Sequence, residues 1–155
     1  MNELHDTFMY IALQQAKKAL AAQEVPIGAV VVDGNGVILA RAFNTVERQK
    51  YQGAHAEMRA IAKACKKKGD WRLSDCWLYV TLEPCAMCMH LSILSRLRGL
   101  VYGAASPVFG YHLDNELSFQ LYKKRALEII PGVQAAQAAQ LLKHFFTIKR
   151  KRSRE

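Results

Sequence analysis

The chain has 155 residues, near the usual size of one domain and enough to bury a core without disulfide or metal staples. At 51% apolar and 23% charged residues it should fold, which excludes a disordered chain, and no run approaches the roughly 20 apolar residues of a membrane span. Against 13 acidic residues stand 22 Lys and Arg, a net charge of +9 that suggests a polyanionic partner.

The elements follow in chain order. Residues 5–22 repeat apolar side chains near a 3.6 period (Phe8, Ile11, Ala12, Ala16, Ala19, Leu20) and predict an amphipathic helix ended by Val25-Pro26. Residues 27–32 and 37–43 flank Asp33-Gly34-Asn35-Gly36 and read as a β-hairpin. A polar stretch from Asn44 to Gly53 leads to a helix from about 55 to 68, closed by Gly69-Asp70. A third strand over 76–81 is followed by a helix from Pro84 to about Arg96, with Pro84 in its first position. A fourth strand spans 99–103. Then come a loop, a helix from about Asn115 to Arg125, an edge strand over 127–130 and a final helix from near Val133 into a basic tail. An opening hairpin followed by alternating strands and helices predicts one α/β domain over 1–155: a three-layer α-β-α sandwich around a mixed five-stranded sheet. The tail from Lys149 to Arg154 carries five cations in six positions, which fits either a contact with a polyanion or a solvated, poorly ordered end.

Met1–Asp6 shows no basic region followed by an apolar run, so the expected location is the cytoplasm. There, four cysteines are reduced thiols or metal ligands, not a disulfide framework. Cys85 and Cys88, three apart in the first turn of a helix, would project about 60° from each other and could grip one ion. The helix dipole there favours thiolate. The Cys-x-x-Cys pair is also compatible with a redox couple or with two small buried residues. His55 adds a third ligand; structural zinc sites usually have four, so three leave a place for water. Glu57 then offers a carboxylate able to take and return a proton. In mid-helix His55 and Glu57 would point about 160° apart, so both must sit at a helix entrance where His55 is not yet helical. His90 would face away, about 140° round from Cys85. Cys65 and Cys76 read as small packed residues. His5 and His144 lack partners in sequence, whereas His112, in the loop after strand four, could reach a pocket.

With these residues in hand, the chain resembles the zinc-dependent nucleoside and nucleobase deaminases, and within them the branch acting on adenosine in tRNA. The resemblance rests on His55-Ala56-Glu57 and Pro84-Cys85-Ala86-Met87-Cys88, with Glu24–Val30, Asn44, Thr81-Leu82-Glu83, Ser95-Arg96, Tyr102-Gly103-Ala104 and the closing Phe145-Phe146 helix. It implies a cytidine deaminase-like fold and one Zn2+ per chain on His55, Cys85 and Cys88, with Glu57 as general acid/base. It assigns Asn44 to holding the target nucleoside and Val25, Ala56 and Leu82 to the walls and backbone contacts of the base pocket. It further implies a homodimer with RNA bound across the subunit boundary, an RNA-contacting tail, and hydrolysis of adenosine to inosine by a zinc-activated water. The expected substrate is the anticodon stem-loop at the wobble position, with the base flipped from a single-stranded loop.

After strand four the family's usual Arg-Asp is replaced by Ala105-Ser106, which bears on substrate choice. Ser106 keeps a hydroxyl that could meet a ribose 2′-OH. Phe109, Tyr111 and His112 either pack the loop or supply one side chain that stacks on a base beside the target. Two rival functions stand beside the main one: a deaminase of free guanine, cytosine or a nucleoside, and a non-catalytic RNA-binding module with a closed structural zinc site.

Overall fold

The computed structural model describes residues 2–113 and 127–154. Its five strands are β1 (Gly28–Val32), β2 (Ile38–Phe43), β3 (Trp77–Leu82), β4 (Gly99–Ala104) and β5 (Glu128–Ile130), in the order β2-β1-β3-β4-β5. β1 pairs antiparallel with both β2 and β3, while β3, β4 and β5 are parallel. The expected mixed sheet is therefore present. The helix expected over about 115–125 lies outside the described residues.

β1 is buried along its whole length because both faces are covered. Val30 and Val32 pack with Phe8, Met9 and Ala12 of α1 (Asn2–Ala21), while Ala29 and Val31 pack with Ala56, Ala60 and Ile61 of α3 (Ala56–Lys68). This is the period-2 alternation of a strand between two helical layers. Ala12, Ala16 and Ala19 let α1 approach closely. A Cβ on Gly28 would collide with the Ala12 carbonyl and the Ala16 amide, so only glycine fits there.

Between β2 and α3 the polar stretch holds an unexpected short helix, α2 (Val46–Gln49), and a 3-10 turn over Gln52–Ala54. Four residues show no helical period. What organises them is Glu24, almost fully buried, whose carboxylate accepts the Glu47 and Arg48 N–H groups at 3.1 and 2.7 Å.

The helix after β3 is shorter than expected: α4 spans Ala86–Leu94, with Cys85 as its extended N-cap and Pro84 outside. Ser95 caps it, and Arg96 at φ 58° turns the chain toward β4. The last helix, α5 (Ala135–Arg152), packs on β4 and α1. It stays helical through Lys149–Arg152, so those cations stand on an ordered helix C-terminus, where the dipole favours positive charge. Among the described residues no helix is long and apolar enough to cross a membrane.

Because β1 opposes its neighbours, β2, β3 and β4 all end at one edge of the sheet, where β1 begins. Val25, Asn44, Leu82, Cys85 and Ser106 follow or precede those ends. In open α/β sheets that edge is where ligands bind.

Candidate metal centre

The chain enters α3 through His55, whose φ of −58° and ψ of 146° make it the non-helical N-cap, and Glu57 stands in the first turn. Cys85 (φ −71°, ψ 169°) plays the same part for α4, with Cys88 in its first turn. Two helices thus begin at one point, and their free N–H groups face it. The constraint that His55 and Glu57 must flank a helix start is met.

His55 Nδ1 lies 3.7 Å from Cys85 Sγ and 3.4 Å from Cys88 Sγ. A tetrahedral zinc with ordinary Zn–S and Zn–N bonds separates such atoms by about 3.6 Å. Among the described residues this is the one group of three His, Cys, Asp or Glu ligands, their donor atoms all within 4.8 Å of one another. His55 Nε2 faces Gln52 Oε1 at 3.3 Å, a partner that favours Nδ1 as the metal-facing nitrogen. Nothing in the order of residues 44–53 announces Gln52; only the 3-10 turn brings it there.

Protonation describes the same site. The Cys88 thiol donates to Cys85, and this, with His55, holds Cys85 down at about 4 against the opposing effect of burial. Cys88 is pushed far up by that neighbouring sulfur and by burial. His55 is raised by its bond to Cys85 and lowered by desolvation. Two sulfurs sharing one proton become two thiolates only when a cation replaces the proton, so the donor set fits a divalent ion. Glu57 is 4% exposed, and burial lifts its carboxyl to about 7.

Around this centre, Asn44 is buried; its Nδ2 donates to the Val25 carbonyl at 3.3 Å and its Oδ1 accepts the Val46 N–H at 3.4 Å. Ala56 is fully buried as the first residue of α3. Leu82 packs toward Leu13, Ala104 and Ala138. Ser106 and His112 are both tied to Glu83: the Ser106 N–H donates to Oε2 at 2.9 Å, and His112 meets Oε1 through its N–H at 3.2 Å and Nδ1 at 2.6 Å. Buried Glu24 and Glu83 organise the site from outside it. In sequence they are single glutamates whose partners lie more than 20 residues away.

The model of the cytidine and deoxycytidylate deaminase zinc-binding region matches residues 2–104, which include every residue of the centre. The chain belongs to this deaminase family. Relatives within it include the tRNA-specific adenosine deaminase of Bacillus subtilis (strain 168), 43% identical over 151 residues that span 96% of this chain and 92% of that one. The tRNA-specific adenosine deaminase of Streptococcus pyogenes serotype M18 is 37% identical over 154 residues, 95% of this chain and 92% of the other. A structure solved in a study of A-to-I editing by tRNA:A34 deaminases at the wobble position superposes with a TM-score of 0.79 at 37% identity, covering 88% of this chain and 99% of that one. A guanine deaminase from Nitrosomonas europaea superposes equally well, TM-score 0.80, at 26% identity over 90% of this chain and 83% of its own. Deaminases of different substrates thus share the backbone of this chain, and identity separates them better than shape does.

Proposed function

We propose that this protein is a zinc-dependent hydrolase that converts adenosine to inosine in tRNA, at the wobble position of the anticodon. The observation that carries this reading is the 43% identity to a tRNA-specific adenosine deaminase across nearly the whole chain, well above the 26% to a guanine deaminase of the same fold.

In this reading His55 Nδ1, Cys85 and Cys88 hold the ion and no fourth side chain closes the site. The ion supplies a Lewis acid that makes a water molecule acidic enough to serve as a nucleophile near neutral pH. Hydrolysis adds that water at the ring carbon bearing the amine and expels ammonia. Glu57 carries the protons: its carboxylate takes one from water and delivers it to the neighbouring ring nitrogen, then takes a second from the hydroxyl added at the ring carbon and hands it to the departing amine. Asn44, with its two long hydrogen bonds to backbone, orients the nucleoside, and Val25 and Ala56 wall the base. Ser106 and His112 border the entry through their shared anchor, Glu83.

The tRNA contact includes the cationic end of α5. Lys149 and Arg152 line a groove of about 290 Å³ with Leu20 and Gln23, directly before Glu24-Val25 at the site. We place the homodimer interface where α3 and α4 border an apolar groove of about 500 Å³ with Tyr51, Trp71 and Leu94 at least half exposed. A tRNA substrate would put the protein in the cytoplasm.

The deciding experiment incubates the zinc-loaded protein with an anticodon stem-loop carrying adenosine at the wobble position and, separately, with free guanine, cytosine and nucleosides. Inosine in the RNA supports the proposal. Turnover of small molecules alone would transfer the assignment to a free-base deaminase.

A further inference from the structure

The loop after β4 carries three rings, and the structure gives them three different roles. Tyr111 packs edge-on against Tyr102 with centroids 6.3 Å apart, and burial pushes its phenol up to about 12. His112 is held on the Glu83 carboxylate. Phe109, at the tip beside Val108, is 76% exposed. Exposure alone would mean little, since single apolar side chains are common on surfaces.

What distinguishes Phe109 is the frame beneath it. The loop is bonded to the segment carrying the metal ligands: Tyr111 N–H donates to the Pro84 carbonyl at 2.9 Å, and the Ser106 and His112 N–H groups both reach Glu83. The Ser106 hydroxyl accepts the Phe109 N–H at 3.4 Å, and Gly110 N–H closes on the Ser106 carbonyl at 3.1 Å. Gly110 lies so close to Glu83 that a Cβ there would collide with its carboxylate. An ordered backbone, fixed one and two residues from Cys85, thus holds an unpacked ring in water at the sheet edge where the substrate enters. A base pulled out of a single-stranded loop leaves its neighbours unstacked, and an aromatic face is what such a base lacks.

We propose that Phe109 is a stacking platform for a nucleotide adjacent to the target adenosine, and so a specificity-determining residue that favours RNA loops over free nucleosides. This rests on the tRNA deaminase reading above. The ring requires no particular base, because every base has a π face, so it sets position along the strand and not sequence.

The test compares the zinc-loaded wild type with Phe109→Ala, Phe109→Leu and Phe109→Trp on an anticodon stem-loop, on the same RNA made abasic at either neighbour of the target, and on free adenosine. Failure of the wild type to deaminate the intact stem-loop would refute the underlying reading; the inference is judged on an active wild type. We expect F109A and F109L to raise KM for the intact stem-loop roughly ten-fold or more, with zinc content and melting temperature unchanged. F109W should stay near wild type. One of the two abasic RNAs should erase the difference between wild type and F109A, and activity on free adenosine should be the same in both. Equal KM for wild type and F109A on the intact RNA would overturn the inference. So would a loss that persists undiminished in both abasic RNAs, or a change of oligomeric state in F109A, which would make the ring a contact between copies.

Discussion

His55 and Glu57 stand on the two sides of one structural boundary: His55 is the last non-helical residue before α3, and Glu57 lies in its first turn. That boundary lets residues only two apart address one site. His55 Nδ1 turns toward the two sulfurs, and Glu57 is buried beside them, each group shifting the other's protonation. Cys85 repeats the arrangement at the start of α4, so two helix entrances build the centre.

If Glu57 moves protons and does not bind the ion, Glu57→Gln should lower turnover of the stem-loop by at least about 10²-fold. Zinc, measured by mass spectrometry, should stay near one per chain, and RNA affinity should be nearly unchanged. Retained turnover would remove Glu57 from the mechanism.

The buried carboxyl also has a cost that can be measured in metal-free protein. Its folded value near 7 lies above the ordinary 4.5, so folding favours the protonated form. This contribution is complete below pH 4.5 and is lost as pH rises through 7. Cys85, held down at about 4, acts in the opposite sense, so the comparison must isolate Glu57. Urea unfolding in chelator should show wild type losing stability relative to E57Q between pH 4.5 and 7.5, by up to about 3 kcal/mol. A pH-independent difference would mean that the carboxyl is not desolvated.

The cationic end of α5 predicts a particular salt dependence. The logarithm of affinity for the stem-loop should fall linearly with log salt, and changing Lys149 and Arg152 to Gln should lower the magnitude of the slope by about 1 to 2. Fluorescence anisotropy over a salt series measures it. Parallel lines for variant and wild type would take these two residues out of the RNA contact.

Local signals carried most of the architecture. The alanine stripe of α1, the Asp33–Gly36 turn and the β-branched run of β1 each read correctly because their periods and turn residues act over a few positions. The metal group was legible for a different reason: His55 and Glu57, two apart, can share a site only at a helix entrance, and Cys85 and Cys88, three apart, can grip one ion from the start of a helix. What stayed hidden depends on distant partners. α2 forms on the carboxylate of Glu24, and the loop over 105–112 hangs on Glu83. Pro84 falls outside α4 because Cys85 must remain extended to aim its sulfur, a demand of the site that overrides the proline's preference for the first helical position. Lys149–Arg152 continue the helix whose Ala138 and Phe145 are buried, in line with the final helix expected to run into the basic tail.

The central claim is an ion held by three side chains with one position left over, and X-ray absorption at the zinc edge of the loaded wild-type protein tests it most directly. Two sulfurs and one imidazole nitrogen, with a fourth light-atom ligand that exchanges with solvent or is displaced by an added anion, is the predicted result. A shell closed by four protein side chains, or a fully active protein containing no metal, would contradict it.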